Sequence, residues 1–167
     1  VNPAGSDPVP TVVAGRRLRL TNLDKVLYPQ SGTTKAEVLA YILAVSAPML
    51  AQLANRPITR RRWPDGVEKP DFFEKAVRPG TPDWMGHVHL RRSGDDSSGY
   101  IDHPMLAGTP EDAAALVGFV QQGALEFHTP QWRIGRKFGV PGTPGPADRM
   151  VLDLDPGAPA GLAECAE

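Results

Sequence analysis

Cysteine is nearly absent: Cys165 is the single one in 167 residues. One thiol cannot close an internal disulfide, which excludes a disulfide-held secreted scaffold and fits a reducing cytosol. No apolar run approaches the ~20 residues of a membrane span, and the N-terminus lacks a signal-peptide core, so no membrane partner is expected. A global basic field is missing too. The 18 Lys and Arg are offset by 19 Asp and Glu, for a net charge of -1. Contact with nucleic acid must therefore come from local patches. Internal repeats are lacking. Soft metal ligands are scarce: His87 and His89 stand at i, i+2 with no cysteine and no third histidine near them, a poor zinc set.

What remains is ample for one globular domain, with 41% hydrophobic residues. The 18 prolines and 17 glycines predict many loops rather than a helical bundle. Residues 1–14, with Pro3, Pro8 and Pro10, read as a flexible tail, and 15–167 as the domain. Gly15 to Thr21 alternates basic and apolar residues, a first strand with Arg17 and Arg19 outward. Asn22 to Lys25 leaves it as a turn or short helix. Thr34-Lys35-Ala36-Glu37 is a capping box opening a helix striped by Val38, Tyr41, Ile42 and Val45. Pro48 kinks that helix or starts a second segment, and the helix ends near Ala54-Asn55. Pro57 to Trp63 reads as a strand closed by a Pro64-Asp65-Gly66 turn. Two more strands, His87 to Arg91 and Tyr100 to Asp102, flank a polar loop. Thr109-Pro110 starts a second long helix, Gly123 ends it, and Ala124 to His128 is a strand. Gly139 to Pro146 reads as a loop, and Gly157 onward as the first turns of a helix.

Met150-Val151-Leu152-Asp153-Leu154-Asp155-Pro156 carries the sharpest chemistry. Read as a buried strand, it puts Met150, Leu152 and Leu154 on the core face and Asp153 and Asp155 together on the other. Two carboxylates on one rigid face repel unless a cation lies between them, and they suit magnesium or manganese. Two such ions ~4 Å apart are a common device of phosphoryl transfer. The plain alternative is a strand that ends at an Asp-Pro turn. Lys25 and Lys35, with Asn22 close by, flank a loop and a helix start, where a terminal phosphate could bind. Solvated lysines are the competing reading. Arg60-Arg61-Arg62-Trp63 followed by Phe72-Phe73 and Lys75 mixes positive charge with rings, as single-stranded nucleic acid requires. The competing reading is a core of rings under a solvated arginine face. A regular strand, however, cannot turn both Phe72 and Phe73 inward.

These segments in collinear order resemble a known family. Leu20 to Pro29, Gly32 to Lys35, Arg56 to Val67, Phe72 to Lys75, Ala124 to His128, Pro130 to Trp132 and Val151 to Gly157 carry the likeness. Together they resemble the polymerase domain of bacterial ATP-dependent DNA ligase D, a member of the archaeo-eukaryotic primase superfamily that works in non-homologous end joining with Ku. The resemblance implies an α/β fold, a mostly antiparallel sheet flanked by helices. It implies Asp153 and Asp155 as catalytic metal ligands for manganese or magnesium, and Asn22, Lys25 and Lys35 as a pocket for the 5′-phosphate at a gap or break. It further implies Phe72 and Phe73 as rings that stack on the template, and His128 on the side of the incoming nucleoside triphosphate. The implied setting is cytoplasmic and nucleoid-associated, with Ku and a ligase module as partners. The family places a Ser-x-His-type nucleotide segment and a third metal aspartate after the Asp-x-Asp strand. Neither stands in this sequence, so the expected identity is the N-terminal portion of such a domain, with little or no polymerase activity alone. A non-catalytic binder of 5′-phosphorylated DNA ends is the second expectation, and a metal-dependent phosphoesterase the third.

Overall fold

The computed structural model describes residues 7–91, 99–135, 144–152, 157, 161 and 163. Val9–Val13 (β1) pairs antiparallel with Arg16–Leu20 (β2), register Val9 with Leu20 and Val13 with Arg16. Part of the segment expected as a flexible tail is therefore a strand. Its two-residue turn puts Ala14 at φ 46° and Gly15 at φ 76°, the positive-φ pair that matches strand twist in tight hairpins. Pro10 is tolerated because β1 is an edge strand.

Val26–Tyr28 (β3) and Thr33–Thr34 (β4) form a small antiparallel ladder that delivers the chain into a helix, Lys35–Ala44 (α1). The capping box is present: Glu37 N–H donates to Thr34 Oγ1 at 3.4 Å, and Thr34 N–H donates to Glu37 Oε2 at 2.7 Å. A second helix, Ser46–Leu53 (α2), follows a break at Val45 and is bent 71° from the first. Pro48 lies in its first turn, where a missing N–H costs nothing. Proline here starts a second segment rather than kinking one helix. No single described helix is long and apolar enough to cross a membrane.

Thr59–Arg62 (β5) is the middle of a three-stranded antiparallel sheet, with Phe72–Glu74 (β6) on one side. His87–Arg91 (β7) and Tyr100–Pro104 (β8) form a separate hairpin. Pro110–Asp112 is a 3₁₀ turn that leads into Ala113–Gln121 (α3). Ala124–His128 (β9) then closes the other side of β5. Trp132–Ile134 (β10) and Pro144–Ala147 (β11) pair last, so the stretch read as a loop up to Pro146 contains a short strand. Every strand pairing among the described residues is antiparallel. The fold class is α/β, as expected.

The core is centred on α3. Ala114, Leu116, Val117 and Val120 are fully enclosed, packed with Val38, Leu39 and Ile42 of α1 and Leu50 and Leu53 of α2. One reading fails here. Met150 is 78% exposed and Leu152 73%, and neither lies in a strand. Alternating apolar residues specify a face but not the partner that covers it, and no described strand pairs with them. Asp153, Leu154, Asp155 and Pro156 lie outside the described residues.

Gly123 ends α3 at φ +84°, its N–H bonded to Val120 O at 2.8 Å. A Cβ there would meet Pro64 Cα at 3.0 Å and Trp63 O at 3.1 Å, both backbone. Gly123→Ala is expected to lower stability by about 2 kcal/mol from the left-handed backbone and the forced shift. Urea unfolding checks it: an unchanged midpoint would show that the α3–β9 junction has slack.

Candidate nucleic-acid interface

The three consecutive arginines of β5 divide between the two faces of the sheet, as the pleat dictates. Arg60 and Arg62 point under it and are 2% and 5% exposed. Glu74 on β6 holds both, at 3.0 Å from each guanidinium, and takes a third contact from Arg78 at 3.2 Å. Arg62 also donates to Gln122 O, and Arg60 to Ala76 O at 2.7 Å. The Arg60 guanidinium lies 4.9 Å from the Phe119 ring on α3. Burial holds Arg60 below the ordinary arginine range, and Glu74 works against that shift. The run is therefore not a basic face that meets phosphate, nor a solvated one. Two of its three charges are internal.

Arg61 emerges on the opposite face. It bonds Asp71 and reaches Glu126 at 3.4 Å, with its guanidinium 4.7 Å from the Trp63 ring and 5.5 Å from Phe73. Glu126 in turn bonds His128 Nε2 at 2.9 Å, and His128 meets Phe73 edge-on at 5.3 Å. Tyr28, Arg61, Trp63, Lys69, Asp71 and Glu126 line a cleft of about 460 Å³ beside this chain of charges. Phe72 and Phe73 are 44% and 57% exposed. Neither ring is core, although β6 turns them to opposite sides. Two exposed rings in succession on an edge strand are large apolar surface offered to solvent, which suits stacking against bases.

The lysine pocket forms where the 21–25 turn meets the start of α1. Lys35 N–H donates to Lys25 O at 2.8 Å and Ala36 N–H to Leu23 O at 3.0 Å. With Glu37 N–H taken by Thr34, the first-turn amides of α1 are already bonded. The helix start is thus not an open anion site, and any anion here is held by side chains. Lys35 is 6% exposed, and its Nζ donates to Thr21 O at 2.9 Å. Burial, and then the nearby charge of Lys25, push its pKa down to about 8. No acid among the described residues pairs with it. Lys25 Nζ donates to Pro64 O at 2.6 Å and to Asp65 Oδ1 at 2.7 Å. Asn22 sits in the same turn at φ 54°, its carbonyl accepting from Lys25 N–H at 3.1 Å.

A family model described as "LigD, primase-polymerase domain" matches residues 34–167. The chain belongs to the LigD primase-polymerase family. It is 43% identical over 156 residues to the multifunctional non-homologous end joining protein LigD of Mycobacterium bovis, which covers 91% of the chain and 19% of that protein. It is 44% identical to the LigD of Mycolicibacterium smegmatis, over 90% of the chain and 18% of that protein. The bifunctional LigD of Bacillus subtilis is 31% identical over 84% of the chain. A solved structure, the polymerase domain from Mycobacterium tuberculosis Ligase D in complex with DNA, superposes at a TM-score of 0.67 with 42% identity. That match covers 78% of the chain and 43% of the solved one. The chain thus spans about a fifth of the length of these relatives.

Within this LigD-family chain, the structure brings Phe73 and His128 into contact, and Lys25 and Lys35 within electrostatic reach of each other. Among the described residues no group of three or more His, Cys, Asp and Glu could hold a metal. His89 bonds Asp102 at 2.7 Å and stacks on Tyr100 at 4.7 Å, a surface arrangement on β7 and β8. Sequence reasoning missed Asp65, Asp71, Glu74 and Glu126, the acids that fix the basic groups. An acid tied to a basic group remote in the chain carries no local signal.

Glu74→Ala should leave Arg60 and Arg62 buried without their carboxylate, at a cost of about 3–5 kcal/mol. Thermal unfolding checks the cost. A loss below ~1 kcal/mol would mean that water or Gln122 replaces the acid, and that β6 does not depend on it.

Proposed function

We propose that this chain is the DNA-end-recognition portion of a LigD-type repair polymerase, which serves nucleotide addition at breaks or gaps in non-homologous end joining. The observation that carries it is the Lys25–Lys35 pocket. A buried ammonium without an acid partner is costly, and an arriving phosphate repays that cost. Lys35, Lys25 and Asn22 take the 5′-phosphate, and Phe72 and Phe73 stack on the template bases next to it. Lys25 and the Phe-bearing sheet are linked through the short turn after β5, because Lys25 bonds Pro64 and Asp65. DNA with a 5′-phosphate is the primary partner. Nucleoside triphosphates approach on the His128 side. By family resemblance, Ku and a ligase module would be further partners, with the work done on nucleoid DNA in the cytoplasm.

Asp153 and Asp155 would hold manganese or magnesium, since paired carboxylates suit hard divalent cations. Such ions, when bound, activate a 3′-hydroxyl and steady departing pyrophosphate. Two carboxylates are few ligands for two divalent ions, so this 167-residue polypeptide by itself should extend a primer poorly or not at all. Template-dependent extension by the purified chain with manganese, at rates near a whole domain's, would overturn that. A non-catalytic DNA-end binder is the second reading, favoured by the same pocket. A phosphoesterase is a third, and release of phosphate from a model ester by the chain would support it.

The pocket makes a pH-dependent prediction. The phosphomonoester gains its second charge above about pH 6, and Lys35 loses its own above about pH 8. The gain in affinity from a 5′-phosphate on gapped DNA should therefore be greatest between those limits. It should decline as pH rises past 8 and shrink with salt. Lys35→Gln should abolish it at every pH. Fluorescence anisotropy with 5′-phosphate and 5′-hydroxyl gaps decides, and equal affinity for the two at pH 7 would refute the pocket. Linkage runs the opposite way for folding. The buried charge weakens the fold fully below pH 8, and the penalty lifts between 8 and the unfolded value of 10.5.

A further inference from the structure

The two lysines of the pocket are not equivalent. Lys35 is enclosed and donates to a neutral carbonyl, Thr21 O. Lys25 already holds an anion: Asp65 Oδ1 lies 2.7 Å from its Nζ. The Asp65 side chain is 72% exposed. Among the described residues its hydrogen bond is to Lys25, with Lys69 adding attraction from further off. Among the described residues it caps no helix and braces no buried group. It sits at the tip of the Pro64-Asp65-Gly66 turn, where Gly66 takes φ +96° and its N–H bonds Trp63 O at 3.2 Å. The turn is thus fixed by its backbone, while the carboxylate can rotate into solvent.

We propose that Asp65 is a built-in competitor for the incoming phosphate: its carboxylate occupies the anion position on Lys25 in the free chain and swings out when a terminal phosphomonoester bridges Lys25 and Lys35. This deepens the phosphate-binding reading above and rests on it. The competition sets a threshold. A tethered carboxylate acts at an effective concentration in the millimolar range. A single weakly held anion does not dislodge it. A dianion that engages two ammonium groups at once does, because charge-assisted bonds to both outweigh one exposed ion pair. Asp65 thereby tunes how strongly the pocket answers to an end rather than to backbone phosphate passing by.

The test is a binding series on gapped DNA with a 5′-phosphate or a 5′-hydroxyl, for the wild-type chain, Asp65→Asn, Lys25→Gln and the double variant. Asp65→Asn keeps the shape of the side chain at an exposed site, so folding is not at issue. It is expected to tighten binding to 5′-phosphorylated DNA about fivefold and to steepen the salt dependence by about one counterion. In the Lys25→Gln background the same change should bring no gain. If Asp65→Asn leaves affinity unchanged or weakens it, Asp65 merely orients Lys25 and the inference falls, while the pocket stands. If the wild type itself ignores the 5′-phosphate, the phosphate reading falls and takes the inference with it.

Discussion

The carboxylate of Glu74 is the constraint on which the rest of this interface depends. It stands 3.0 Å from both Arg60 and Arg62, beneath a sheet whose other side must stay open. Two buried guanidiniums are tolerable only with such a partner. β6 is three residues long and pairs on one side only, with β5. Glu74 anchors it from within, and that anchor sets the register Arg61 opposite Phe73 and Arg62 opposite Phe72. The exposure of both rings follows from the anchoring of the residue beside them.

The pleat carries the consequence to the other face. With Arg60 and Arg62 committed inward, Arg61 has to point outward, between Asp71 and Glu126. Glu126 then fixes His128, which meets Phe73. Acids and bases alternate along this surface, so it carries little net charge and offers rings and hydrogen-bond groups rather than a field. The lysine pocket is the opposite kind of device: a concentrated charge, partly desolvated. The two are coupled mechanically. Trp63 N–H bonds Gly123 O at 2.7 Å, and Val67 N–H bonds Leu27 O at 2.9 Å, so the turn contacted by Lys25 is pinned at both ends.

Local rules made much of this legible. The capping box at Thr34, the Thr109-Pro110 start and the Gly123 stop rest on groups a few residues apart, and each is found. Strand alternation keeps Phe72 and Phe73 from sharing one buried side, and both rings are exposed. What failed was non-local. Arg60-Arg61-Arg62 looks like surface charge until Glu74 is seen across the strand pair. Pro10 looked like a mark of a tail, yet an edge strand accepts it. Met150 and Leu152 alternate as a strand should, but alternation cannot supply a neighbour, and both are exposed. The Asp153 and Asp155 pair rests on family resemblance and on the chemistry of paired carboxylates.

The lysine pocket and the exposed rings would act by different physics on the proposed reading. Phosphate recognition by the two lysines would be electrostatic and weaken with salt. Stacking on Phe72 and Phe73, as proposed, would contribute about 1–3 kcal/mol per base and depend less on ions. Neither draws on the acids at 153 and 155. On the proposed reading, a pocket that takes a phosphate together with rings that stack on an unpaired base would select the junction between duplex and single strand. Duplex DNA lacks the open base, and a free strand lacks the terminal phosphate at the right spacing. The conjunction of the two signals, rather than either alone, would then mark a broken or gapped end.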